Sequence, residues 1–84
     1  MTLYVYNLSF DKVGETELRD LFEQYGVVKD VRLIRDRQTD KSRGFGFVTF
    51  RERQDGLRAC EALNNTEFFG RTLYVHEAEE RNHD

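Results

Sequence analysis

Apolar and polar positions alternate from Leu3 to Leu8, with Leu3 and Val5 on one side and Tyr4 and Tyr6 on the other, the signature of a strand with one covered face. The period then changes. Leu18, Leu21, Phe22 and Tyr25 stand at i, i+3, i+4 and i+7, which predicts an amphipathic helix over Glu15 to Tyr25. Its acidic first turn, Glu15 and Glu17, suits the positive end of the helix dipole, and Gly26 suits its stop. Val27 to Arg35 returns to a strand, and the polar run Asp36 to Ser42 reads as a hairpin loop into a third strand, Arg43 to Phe50. Gln54 to Leu63 predicts a second helix with Leu57, Ala59, Cys60 and Leu63 as its apolar positions, weakened at Gly56 by roughly 1 kcal/mol relative to alanine. Asn64 and Asn65 supply a turn, Phe68 plugs the core, and Thr72 to His76 is the last strand, with Leu73 and Val75 inward and Tyr74 and His76 outward.

The order βαββαβ predicts an α+β, ferredoxin-like sandwich: a four-stranded antiparallel sheet with both helices on its one apolar face. Residues 1–78 are expected to form one domain, since 84 residues leave room for a single small core, and 79–84 an acidic, flexible tail. The open face of the sheet then carries Tyr4, Tyr6, Phe45, Phe47, Tyr74 and His76, with Arg32 and Ile34 from the second strand. An apolar patch of this size on a small domain points to a binding surface.

Charge locates the partner. The net charge is -3, yet Val27 to Arg53 is locally +4 while the segments before and after it are acidic. Positive charge therefore surrounds the aromatic strand. Flat rings beside guanidinium groups offer a nucleobase its stacking surface and a phosphate its counter-charge. The single Cys60 excludes an internal disulfide framework and fits a reducing, intracellular compartment; its helical register predicts a buried thiol rather than a nucleophile. No membrane-length apolar run is present.

Arg43 to Phe50, RGFGFVTF, matches at every specified position the longer signature of the RNA recognition motif, [K/R]-G-[F/Y]-[G/A]-F-V-x-[F/Y]. LYVYNL, Leu3 to Leu8, fits the family's shorter signature on its first strand. With both in order at the family's spacing, the chain resembles an RNA recognition motif from Leu3 to about Ala78. The resemblance implies a single-stranded RNA-binding domain, monomeric when isolated, with no cofactor and no metal. By position, Tyr4 and Phe47 resemble the two base-stacking platforms, Phe45 the residue that packs against sugars, and Arg43 the one that pairs with phosphate. Arg32, Ile34, Tyr74 and His76 lie where base selection occurs. Tyr6 departs from the family, which most often has glycine there; it either adds a third stacking surface or crowds Tyr74.

Two other readings compete. A peptide-binding variant of the family would use its helical face, but such variants have a degraded octet and an Arg-x-Phe motif where this chain has Thr66-Glu67-Phe68. A protein contact through the helical face or through Phe69 is retained as a second activity. An enzyme is disfavoured: Gly44-x-Gly46 lacks the third glycine of a nucleotide loop, and His76 and His83 have no ligand partners at metal-binding spacing. Arg51, Arg53 and Arg58 are candidates for a second phosphate-contacting surface.

Overall fold

Leu3 and Val5 are fully buried while Thr2, Tyr4 and Tyr6 are only partly so, and this period-two contrast recurs from Ser42 to Phe50 and from Thr72 to His76, whereas register shifts interrupt it between Val28 and Arg35. The computed structural model describes residues 1–78, so the tail expected at 79–84, with His83, lies outside the described residues. The elements are β1 (Thr2–Tyr6), α1 (Glu15–Phe22), β2 (Val28–Arg35), β3 (Ser42–Phe50), α2 (Arg53–Leu63), β4 (Thr66–Phe68) and β5 (Arg71–Glu77). All pairings are antiparallel, in the order β2-β3-β1-β5-β4. The sheet therefore has five strands where four were expected. The addition is short: Thr66 pairs with Leu73 and Phe68 with Arg71 across a turn at Phe69 and Gly70. Both turn residues have positive φ, 51° and 81°, the geometry of a tight primed hairpin turn, which favours glycine at its second position. The last strand, β5, is one residue longer at each end than the expected Thr72 to His76, starting at Arg71 and ending at Glu77.

The core lies between one face of the sheet and the two helices. Leu18 and Phe22 of α1 and Ala59 and Leu63 of α2 meet Leu3, Val5, Val48, Phe50, Leu73 and Val75. The Phe22 and Phe50 rings pack edge to face at 6.1 Å. The helix α1 stops at Phe22, three residues earlier than its apolar period predicts. The Tyr25 N–H bonds back to the Phe22 carbonyl in a tighter turn, and Arg58 takes the Tyr25 carbonyl. At its start, Glu17 accepts a hydrogen bond from the Gly14 N–H at 2.8 Å.

In α2 Ala59 and Leu63 are buried as expected, but the first position of the apolar stripe is not the expected one. Leu57 is 43% exposed, and Gly56 is buried in its place. A Cβ on Gly56 would lie 2.6 Å from the Met1 sulfur, so the Met1 side chain supplies the apolar volume that Gly56 lacks. Cys60 is half-buried rather than buried, its thiol donating to the Val75 carbonyl at 3.4 Å. Burial, reinforced by Glu77 and Glu61, pushes its pKa up, so the reactive thiolate is disfavoured. Among the described residues no helix is long and apolar enough to cross a membrane.

Candidate nucleic-acid interface

Apart from Phe50, the inward residues of β1, β3 and β5 are small or aliphatic, and the other rings of these strands fall on the uncovered face. β1 lies at the centre of the register: Tyr4 pairs with Phe47 on one side and His76 on the other, and Tyr6 with Phe45 and Tyr74. The two signatures, far apart in sequence, thus become neighbouring strands. Tyr4 lies 5.4 Å from Phe47 and 6.0 Å from Phe45 between ring centroids, tilted to the first and edge-on to the second. Tyr6 lies nearly parallel to Tyr4 at 5.0 Å, to Tyr74 at 5.3 Å and to His76 at 5.6 Å. Its hydroxyl also hydrogen-bonds His76 Nε2 at 3.1 Å. Near-parallel rings this close overlap like shingles, because coplanar rings lying flat would collide. The surface is a continuous aromatic row held by mutual contact.

Cationic groups stand along the β2 and β3 side. Arg32 is exposed and pairs in register with Phe47, and Ile34 is partly buried where the β2–β3 register shifts. Arg43 is 56% exposed and meets Asp36 Oδ2 at 3.3 Å. The other oxygen of Asp36 accepts the Gln38 and Thr39 N–H groups at 2.9 and 3.1 Å. These backbone bonds, with Arg43 beside them, hold the Asp36 carboxyl below its usual pKa. The residues singled out from the sequence (Tyr4, Tyr6, Arg32, Ile34, Arg43, Phe45, Phe47, Tyr74 and His76) all lie on this face or its rim.

Three further residues join them. Asn7, at φ 66°, turns the chain out of β1 and donates from its side-chain amide to the Thr72 carbonyl at 2.7 Å. Arg71 binds the Asn7 carbonyl at 3.2 Å and its side-chain oxygen at 2.7 Å. Phe10, in the loop after β1, is 63% exposed. With Tyr4, Tyr6, Phe45 and Arg43, Phe10 and Arg71 border a shallow cavity of about 200 Å³ at the end of the row. Asn7 and Phe10 lie in a loop, which has no period, and Arg71 is a polar residue at the first position of β5, so the hydrophobic pattern held no signal for them. The second basic cluster is differently placed: Arg53 pairs with Glu77 at 3.5 Å and Arg58 with Asp55 at 2.7 Å. Among the described residues no three His, Cys, Asp or Glu side chains are grouped to hold a metal ion.

Known proteins share this arrangement. Residues 3–74 match the family model of the RNA recognition motif. The putative RNA-binding protein RbpA of Synechocystis is 46% identical over 96% of this chain and 79% of its own length. Glycine-rich RNA-binding protein 10 of Brassica napus is 46% identical over 81% of this chain, a match that spans 40% of the plant protein. The crystal structure of the RNA-binding protein PG1 superposes with a TM-score of 0.93 at 48% identity, covering 99% of both chains. A Sex-lethal protein in complex with RNA superposes at 0.86 with 33% identity, over 92% of this chain and 47% of that one. With both signatures paired on adjacent strands and the family model spanning nearly all the described residues, the chain belongs to the RNA recognition motif family.

Proposed function

We propose that the chain binds single-stranded RNA on the open face of its sheet, using residues 1–78 as the binding unit. The observation that carries this is the uncovered contact of Tyr4 with Phe47 at the centre of the sheet, flanked by Phe45 and rimmed by Arg32 and Arg43. Two bases stack on Tyr4 and Phe47, Phe45 packs against the sugars between them, and Arg43 meets a phosphate. Arg32, Ile34, Tyr74 and His76 read the flanking bases. The relatives named as RNA-binding proteins, and the structural neighbour solved with RNA, support the same reading. The chemistry is stacking and ion pairing, which makes the chain a binding module rather than an enzyme and calls for no cofactor.

The Phe45→Ala, Phe47→Ala double variant tests this. Each stacked base contributes about 1 to 3 kcal/mol, so titration with a short uridine-rich strand should show at least that loss, with the fold intact because both rings point away from the core. Parent-like affinity would overturn the sheet-face reading.

A further inference from the structure

Phe10 is the most exposed of the large hydrophobic side chains that reach solvent, and its position is held. Its ring rests on the backbone of β3: a Cβ on Gly44 would lie 3.0 Å from Phe10 Cε1 and 3.1 Å from the Leu8 carbonyl oxygen. Gly44, at φ 83°, is therefore the seat of the ring, a place where a side chain would push Phe10 away. The loop is tied on both sides of it. The Leu8 N–H donates to the Gly44 carbonyl at 2.9 Å, and the buried Ser9 hydroxyl donates to Asp11 at 2.9 Å. An aromatic ring fixed in place without being covered is arranged to receive something.

Its surroundings indicate what. On one side Phe10 borders the cavity that opens onto Tyr4, Tyr6 and Phe45. On the other it borders a wider hollow of about 760 Å³ under the β2–β3 loop. Arg43 stands in both, and Arg71 closes the first. The wider hollow sets three carboxylates, Asp11, Asp36 and Asp40, against three cations, Arg35, Lys41 and Arg43, so it has no net charge to draw a phosphate in and suits a neutral base. Arg43 can turn from Asp36 to a phosphate at small cost: Asp36 keeps its two backbone N–H partners, and both side chains are substantially exposed.

We propose that the RNA surface continues past the ends of the strands into a subsite for one further nucleotide, its base on Phe10 and its phosphate against Arg43 and Arg71. This rests on the sheet-face reading above and extends it, since that reading places nucleotides only over the strands.

The test compares affinity ratios at two RNA lengths. Wild-type, Phe10→Ala, Phe10→Tyr and Phe47→Ala proteins are titrated with uridine trinucleotide and with uridine hexanucleotide, following backbone amide shifts, which also verify folding. The trinucleotide is short enough to be filled by the sheet. Phe10→Ala should leave its affinity within about twofold of the parent and weaken the hexanucleotide about 5- to 150-fold, the range of one lost stack. Phe10→Tyr should restore the hexanucleotide affinity, and Phe47→Ala should weaken both lengths. Equal hexanucleotide affinity for Phe10→Ala and parent, with Phe47→Ala still weakened, would overturn the subsite alone. Equal losses at both lengths for Phe10→Ala would also overturn it, because the ring would then be a support for the sheet site. Unchanged binding by Phe47→Ala would overturn the sheet reading itself.

Discussion

Tyr6 has neighbours on both flanks, Tyr4 on one side and Tyr74 with His76 on the other, so its ring is a link in the aromatic row as well as a surface of it. Removing it would take from Tyr74 the ring it stacks on and from Tyr4 one of its three ring neighbours, and ordering them on binding would then cost side-chain entropy. Tyr6→Gly should therefore weaken binding of a short uridine-rich strand by about 1 kcal/mol, the lower end of the stacking range. Glycine also weakens a strand, so the comparison is made on protein shown to be fully folded by its melting curve; equal or tighter binding would mean that the ring crowds the groove. The rings of the row were legible in the sequence because strand alternation assigns each one a face. The pairing of Tyr6 with His76 was not, since it needs the register between β1 and β5. Phe10 and Arg71 were illegible for a different reason: their places are set by Gly44 and Asn7, which bring together positions far apart in the chain.

At the level of elements, the β2–β3 loop is organised by one carboxylate. Asp36 accepts two backbone N–H groups across the loop and holds Arg43 at its outer oxygen, while Glu15 of α1 meets Arg35 at the end of β2 at 2.7 Å. Both carboxyls are held below their ordinary pKa, Asp36 by the Thr39 and Gln38 N–H groups and Glu15 by its bond to Arg35. A carboxyl with a lowered folded pKa binds protons less readily folded than unfolded. Its stabilising effect is therefore complete above its ordinary range and disappears as pH falls through the lowered folded value. Asp36→Asn keeps an acceptor for the loop N–H groups and removes the charge. It should melt below the parent at pH 7, with the gap closing as melts are repeated down toward about pH 2, and a gap constant with pH would refute the charge as its cause. The same change frees Arg43 and should tighten RNA binding. The long elements were legible because two or more periods fit within each. β4 was not, having three residues, and the burial of Gly56 in place of Leu57 at the start of the α2 stripe depends on Met1 lying over Gly56, a contact between positions remote in the chain order.

Over the whole molecule, an overall charge of -3 with a basic band from β2 through β3 makes RNA binding a matter of where the strand lies rather than of general attraction. Several other arginines each stand beside a carboxylate that offsets their attraction for a phosphate: Arg53 beside Glu77, Arg58 beside Asp55, Arg19 beside Glu23 and Arg35 beside Glu15. Arg32, Arg43 and Arg71 remain beside the aromatic row, with Lys41 at the hollow beyond Phe10, and Arg43 and Arg71 carry ties to Asp36 and Asn7. Each phosphate neutralised on a single strand contributes about 0.7 to the dependence of log affinity on log salt. Three or four contacts therefore give a slope of about -2 to -3, shallow for a nucleic-acid-binding protein. Affinity for a uridine-rich strand measured between about 50 and 300 mM salt, roughly a sixfold range, is sufficient to fix the slope. A markedly steeper value would mean that Arg53 and Arg58 give up their carboxylates to the RNA, with Arg51 beside them, and so that the strand leaves the sheet face and wraps the edge beside α2.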